Sequence, residues 1–358
     1  MTLSTMKRAF DWLVTASKEM KSINFNFMGG EPTMRWREIA QFCKWARAKG
    51  SAMGKDVTFS MTSNLTLWDD EIRSFVDEYG FGILMSIDGC PEVQDAQRPA
   101  KNGKKMSAIV ERWAKSMLVT RPRSTARATI HPKYVGKFFD SMKYLYDIGF
   151  REVAVSSSEY EQWNAEEFSE LQRQLLLVET LVVESHQAGT PFNLSILKYF
   201  QNKVIHKQFM GEQVAFRKNP CGAGKGYLMI DYIGDIWPCH RFDGADFDAG
   251  QGGQFRMGNI FAAGFNYELQ RAFLDFDHSK IHKDSCTKCP ANPVCGGYCP
   301  AANVSSTGNL YTPHDSYCAW VQLCFASAES AYSRLKRIGG ATFSRFVADI
   351  ANAEDDGR

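Results

Sequence analysis

The chain has almost no excess of charge. Its 42 Lys and Arg against 40 Asp and Glu leave a formal net charge of +2 over 358 residues, with the two signs interspersed. This balance excludes the electrostatic footprint of a nucleic-acid or anionic-membrane binder. A long apolar run is also missing. The longest, residues 175–183, is interrupted by Glu179, and it is too short and too charged to span a bilayer. Residues 1–21 hold no apolar block ahead of a small-residue cleavage site, so no secretory signal is expected. Internal repeats and low-complexity blocks are absent too. Hydrophobic residues at 44% and charged residues at 23% fit a soluble globular protein, long enough for two domains.

What the chain does hold is ten cysteines. Without a secretory signal they point to the reducing cytoplasm, and to metal rather than disulfides. Seven fall in one pattern. Cys221 and Cys239 come first, with four residues separating Gly234 from Cys239. Cys286, Cys289, Cys295 and Cys299 follow with gaps of two, five and three, and Cys318 closes the set. Clustered thiolates at such spacings bind soft metal. Zinc is one candidate, because Cys-x-x-Cys pairs also form zinc knuckles. Zinc sites normally close with four ligands in two pairs, however. Seven interleaved ligands and Cys-Pro steps at Cys289 and Cys299 suit iron–sulfur better. Cys43, among Ile39, Phe42 and Trp45, reads as a small core residue, as does Cys324. Cys90 follows a strand end and could face a site.

Hydrophobic periodicity organises the first 155 residues into alternating helices and strands. Helices are expected at 5–18 (Met6, Phe10, Leu13 and Val14 on one face), 37–49, 69–79, 106–119 and 135–148. Strands are expected at 23–28, 57–62, 81–87, 126–130 and 152–155. Such alternation implies an α/β fold with a parallel sheet and functional loops at the strands' C-terminal ends. A long helix at 164–187 leads through an irregular bridge to Cys221. The segment to Cys318 reads as loop-rich, with a surface loop at 244–253. Residues 319–337 return to helix, and 352–358 form a polar tail.

The cysteine pattern resembles the SPASM domain, the twin iron–sulfur extension of many radical S-adenosylmethionine (SAM) enzymes that modify peptides. The resemblance implies one 4Fe–4S cluster on Cys286, Cys289, Cys295 and Cys318. It implies a second, nearer the active site, on Cys221, Cys239 and Cys299. Some relatives supply an eighth Cys just before the first; here Arg217, Lys218, Asn219 and Pro220 stand there, leaving an iron open to water or substrate.

Upstream residues are similar to the partial barrel of the same enzymes. Met28-Gly29-Gly30-Glu31-Pro32 ends the first strand, where paired glycines let backbone approach a ligand. Alone it could be a turn. In the family such a motif holds the amino group of SAM through its backbone and Glu. Thr62-Ser63-Asn64 and Ser86-Ile87-Asp88-Gly89 resemble the family's next polar strand ends, and the Ser of the latter commonly meets the SAM carboxylate. Gln94-Asp95-Ala96-Gln97-Arg98 is similar to the family's His-Asp-x-x-Arg, with Gln replacing His. Arg127 could neutralise a carboxylate bidentately. Taken singly, each is as well explained by a satisfied turn or an exposed charge.

The resemblance therefore implies a truncated radical SAM partial (β/α) barrel at 1–215, a twin-cluster domain at 216–330 and a C-terminal helix and tail at 331–358. The family's defining CxxxCxxC loop, which holds the third cluster, does not occur; no Cys precedes Cys43. A late start codon, a truncated gene or a partner supplying the piece would each account for this. The expected function is hydrogen-atom abstraction from a peptide or protein side chain, with thioether or other crosslinks as products. Partners implied are the peptide substrate and an electron donor such as flavodoxin or ferredoxin. A non-catalytic two-cluster electron-transfer or peptide-binding protein is the alternative, a zinc-stabilised scaffold a further one. Anaerobic sulfatase maturation also stays open, although His240 follows Cys239 where sulfatase-maturing members carry an Asp base. His240 could be a base, a donor to cluster sulfur or a packed side chain.

Overall fold

A computed structural model of the chain describes residues 1–158, 161–209, 221–243, 252–277, 280–292, 295–297 and 299–351. Four features singled out in the sequence fall wholly or mostly outside these: residues 217–220, the loop at 244–253, the tail at 352–358 and part of the run before Cys221.

Six parallel strands form one sheet in simple sequential order: β1 (Ser22–Phe27), β2 (Asp56–Ser63), β3 (Gly82–Ser86), β4 (Thr125–Ile130), β5 (Glu152–Ser157) and β6 (Asn193–Leu194). The helices between them are α2 (Trp36–Ala52), α3 (Asp70–Glu78), α4 (Pro91–Gln97), α5 (Ser107–Thr120), α6 (Phe138–Ile148) and α7 (Ala165–Gln187). Helix α1 (Leu3–Ala16) precedes β1. This is the α/β architecture expected from the alternating periodicity. The helix starts follow their caps. Asp69 accepts from the Ile72 amide at the head of α3, and Asn164 closes a capping box with Glu167 at the head of α7.

The sheet has two unlike faces. On one, Ile23, Val57, Phe59, Met61, Met85, Ala126, Ala128, Val153 and Val155 are buried against the helices. The rings of Phe27, Phe59 and Phe81 stack there at centroid distances of 5.4–6.5 Å, each pair adding about 1 kcal/mol beyond its buried area. The other face carries the alternate residues, mostly polar: Asn24, Asn26, Thr58, Ser60, Thr62, Thr125, Arg127, Thr129 and Ser156, with Leu84 and Ala154 among them. Asn24 donates to Thr58 Oγ1 (3.0 Å) and accepts from Ser60 Oγ (2.8 Å), so this face is a hydrogen-bonded polar lining. A parallel sheet is ordinarily apolar on both sides. One polar face is what a wet, ligand-binding interior requires.

Up to residue 209, the bridge expected to be irregular after α7 is instead β6 and α8 (Ser195–Phe209), and its remainder, 210–220, lies outside the described residues. β6 has only two residues, too short for any periodicity to register, and Ser195 Oγ bonds the Val155 amide (3.1 Å) to hold it in place. In the cysteine-rich region, a small antiparallel sheet of β7 (Met229–Ile230), β8 (Asp235–Trp237) and β9 (Gly258–Asn259) precedes α9 (Tyr267–Leu274) and α10 (Pro300–Thr307). Helix α11 (Asp315–Ile338) is continuous. It packs on α7 and α8, putting Trp320, Cys324 and Phe325 into the main core. Helix α12 (Gly340–Ala351) then adds Phe346 and Ile350 beside Tyr332 and Leu335.

Helix α1 belongs to both cores. Met6, Phe10 and Val14 enter the main one, while Ala9 and Trp12 join the core of the small sheet. Trp12 lies 5.7 Å from the Phe265 ring, and Arg8 Nε donates to the Ile260 carbonyl at 3.0 Å. Among the described residues, no helix is long and apolar enough to cross a membrane.

Candidate active site and cysteine centres

The polar residues singled out at successive strand ends meet at one edge of the sheet. After β1, Gly29 (φ +94°) and Gly30 (φ +53°) take left-handed conformations that a side chain would strain, and an added Cβ at either would meet nothing within 4 Å. Their backbone is therefore open to a ligand. Glu31 follows and turns back into the fold, leaving Pro32 to start a 3-10 turn. Its Oε1 accepts from the Thr33 amide (3.1 Å), Thr33 Oγ1 (2.6 Å) and Ser63 Oγ (2.9 Å), and its Oε2 from the Asn64 amide (2.8 Å). One carboxylate thus ties the end of β1 to the end of β2. Oε2, with a single protein donor, retains a lone pair for a further donor.

Ser63 is fully buried and fully engaged, since its Oγ also accepts from the Leu65 amide (3.1 Å) and Trp68 Nε1 (2.8 Å). It positions Glu31. Asn64 Oδ1 accepts from Thr66, whereas its side-chain Nδ2 has no hydrogen bond among the described residues. Leu65, at φ +62°, is the only non-glycine left-handed residue among those described. The sequence carried no sign of it.

At the end of β3, Ser86 is level with Arg127 on β4. No hydrogen bond to the Ser86 hydroxyl is found among the described residues. Asp88 is buried and committed. Its Oδ2 receives Arg98 Nε (2.7 Å), while Oδ1 receives Arg98 Nη2 (3.0 Å) and the Thr129 amide (3.0 Å). Gln94 accepts from the Asp88 amide (2.8 Å). Asp95 caps α5 through the Met106 and Ser107 amides and the Ser107 hydroxyl. Burial works to raise its pKa, but these hydrogen bonds and Lys105 outweigh it and hold the carboxyl below its ordinary value. The Gln-Asp-Ala-Gln-Arg stretch thus acts as a brace behind the strand ends. Gly89 (φ +147°) allows the backbone to pass α6, where a Cβ would stand 2.1 Å from Ser141.

The seven patterned cysteines fall into two groups. Cys286, Cys289, Cys295 and Cys318 line one cavity, closed by Ile281, Tyr317 and Val321. Cys221, Cys239 and Cys299 belong to the core of the small sheet, close enough that Cys221 and Cys299 both act on Cys239. Burial pushes the Cys239 thiol up to about 12 and that of Cys295 to about 11, the neighbouring cysteines adding to both rises. Buried thiols of this kind stay protonated unless a metal displaces the proton. Among the described residues, no three His, Cys, Asp or Glu side chains converge closely enough to hold a single ion. Cys43 and Cys324 are buried core residues. Cys90 caps α4, beside Ser141 Oγ at 3.7 Å. His240 lies in a 3-10 turn after Cys239, with Nδ1 3.0 Å from the Tyr227 hydroxyl.

Sequence reasoning missed a cleft at the end of β5, lined by Ser157, Ser158, Glu161 and Trp163 against Ser306, His314 and Tyr317. These residues lie far apart in sequence and form no motif.

No family model matches the chain. It is 22% identical over 301 residues to a serine-type anaerobic sulfatase-maturating enzyme of Klebsiella aerogenes, covering 81% of this chain and 69% of that protein. It is 22% identical over 286 residues to a cysteine-type anaerobic sulfatase-maturating enzyme of Clostridium perfringens, covering 77% and 73%. Among solved structures, anSMEcpe with bound AdoMet and the Kp18Cys peptide superposes with a TM-score of 0.71 at 18% identity, over 94% of this chain and 90% of that one. Streptococcus suis SuiB bound to its precursor peptide SuiA gives a TM-score of 0.52 at 15% identity, over 87% and 69%. The chain resembles the radical SAM enzymes that modify peptides and has their fold.

Proposed function

We propose that the chain is a radical SAM maturase that modifies a peptide or protein side chain by hydrogen-atom abstraction. The observation that carries this is the joining, on one chain, of two features. One is the strand-end constellation around Glu31; the other is a cysteine-lined cavity. Oε2 of Glu31 and the open backbone of Gly29 and Gly30 suit the amino group of SAM. Ser86, with Arg127 on the neighbouring strand, suits its carboxylate. Ser63, Asn64 and Asp88 keep these groups in place.

Seven interleaved cysteines, four of them around one cavity, favour a 4Fe–4S cluster over zinc. A cubane takes each thiolate on a separate iron, whereas zinc draws all its ligands to one centre. Cys286, Cys289, Cys295 and Cys318 would hold one such cluster, and Cys221, Cys239 and Cys299 would supply three ligands to a second. In this enzyme class SAM bound to its own cluster supplies, on reduction, a 5′-deoxyadenosyl radical. The CxxxCxxC triplet that carries that cluster is not among these residues.

The relatives' names favour sulfatase maturation as a second reading. Against it, position 240 is His, and its Nδ1 is occupied by Tyr227 rather than presented as a carboxylate base would be. Peptide crosslinking therefore remains the preferred product class.

The test is anaerobic reconstitution with iron and sulfide, then iron, labile sulfide and zinc analysis together with SAM binding by equilibrium dialysis. About eight irons per chain are expected from two clusters, and Cys295→Ser should lower bound iron by about half while sparing SAM binding. Retention of zinc in place of iron would defeat the cluster assignment. Two clusters without SAM binding would identify a non-catalytic electron-transfer or peptide-binding protein.

A further inference from the structure

The cleft beyond the SAM-side strand ends has a definite chemistry. It lies at the end of β5 and faces α10 and the first turn of α11. Ser157, Ser158, Ser306 and Ser316 give it hydroxyls, and Trp163 and Tyr317 give it aromatic walls. Among the described residues that line it, Glu161 is the only carboxylate, His314 is the one imidazole, and no Lys or Arg occurs. The carboxylate is held from behind by His131, the residue that follows β4, with Nε2 3.1 Å from Oε1. Nδ1 of the same ring accepts from the Lys133 amide at 3.1 Å, so the ring proton sits on Nε2 and is donated to Glu161. His131 thereby fixes the orientation of Glu161.

Glu161 stays 48% exposed despite this anchoring. Trp163 is 91% buried, with its ring against Phe168 and Trp320, and gives the cleft a rigid floor. Tyr317 lines this cleft and also the cavity of Cys286, Cys289, Cys295 and Cys318, so the two share a wall. An occupant would lie beside both the strand ends and the cysteine cavity.

The geometry points to a basic side chain of the peptide substrate, lysine or arginine, seated in this cleft with Glu161 as its counter-ion. The assignment deepens the reading of the chain as a peptide modifier and rests on it. A fixed, half-exposed carboxylate among hydroxyls selects a cation over an anion by sign. The half-buried Tyr317 ring beside it adds cation–π attraction. Glu161 and Tyr317 act here as specificity residues, and His131 as a positioning residue.

The experiment uses the full chain and two capped pentapeptides, acetyl-Gly-Gly-Lys-Gly-Gly-amide and its norleucine counterpart, with Kd measured by NMR titration. The lysine peptide should bind about three- to ten-fold more tightly than the norleucine one, with the preference shrinking as salt is raised. Glu161→Gln should erase the preference and leave the norleucine affinity unchanged. Equal binding of the two peptides to the wild-type chain, a preference that survives in Glu161→Gln, or no binding of either peptide would each overturn the assignment. The wild-type chain alone decides the first of these, so a poorly folded variant cannot rescue it. SAM binding, measured on the same sample, separates the two levels. SAM binding without lysine preference removes only the cleft assignment, whereas its loss strikes the wider reading.

Discussion

Replacing Asp88 with Asn removes the charge from the most deeply buried carboxylate of the strand-end constellation. Asp88 is 2% exposed and accepts three hydrogen bonds, two of them from Arg98 in a bidentate pair. Breaking a fully buried pair of this kind costs about 3–5 kcal/mol, because the surviving charge is stranded. Arg98 is 35% exposed, however, so its guanidinium can recover water when its partner is lost. The cost should fall to about 2–3 kcal/mol, mostly from the weakened charge-assisted bonds and from an amide group forced against Arg98. Urea unfolding followed by circular dichroism measures the loss, and a cycle with Arg98→Gln isolates the pair. The two single changes should each destabilise, and the double change should cost at least about 1 kcal/mol less than their sum. Additive costs, or a loss under about 0.5 kcal/mol for Asp88→Asn, would refute Asp88 as the brace between β3, β4 and the end of α4. Because Asp88 ties the end of β3 to the Thr129 amide of β4, the SAM affinity proposed above should fall in step with stability.

Gly89→Ala combines a strained φ with a Cβ 2.1 Å from both Ser141 Cβ and Oγ, so it should cost about 2–4 kcal/mol by thermal unfolding. Adding Ser141→Gly should recover part of that loss, since it relieves the clash and leaves the strain. His186 is buried against Asn193 (3.2 Å), and burial holds its pKa below the ordinary 6.5. The unfolded chain therefore takes up a proton at higher pH than the folded one. The contribution of His186 is complete above about pH 6.5 and is lost as the pH falls toward the depressed folded value. Stability measured between pH 7.5 and 5 should fall more steeply in the wild-type chain than in His186→Gln, and parallel curves would show that His186 does not drive the slope.

Much of this was legible in the residues, for identifiable reasons. The alternation in β2 and β4 and the capped starts of α3 and α7 are local signals, so those elements lie within a residue or two of their expected positions. The Gly-Gly-Glu-Pro turn was visible as a motif, but the bond that gives it meaning, Ser63 to Glu31, spans 32 positions. The relay from Trp68 through Ser63 to Glu31 likewise needs the sheet to exist before its members are neighbours. β6 escaped notice because two residues carry no period, and α8 because its polar and apolar residues are not segregated into clear faces. The cleft of Glu161 and His314 is assembled by tertiary contact between segments some 150 positions apart, with nothing local to announce it.

Helix α1 inserts Phe10 into the main core and Trp12 into that of the small sheet, two residues apart on a single rigid rod. Consecutive helix positions differ in direction by about 100°. Sliding the helix by one residue would therefore unseat both anchors together, and neither half of the molecule can loosen its grip alone. The helix acts as a gauge block. It transmits the spacing of one half to the other and sets how far the group of Cys221, Cys239 and Cys299 stands from the parallel sheet. Lengthening or shortening α1 would retune that distance without touching a single residue at either end of it.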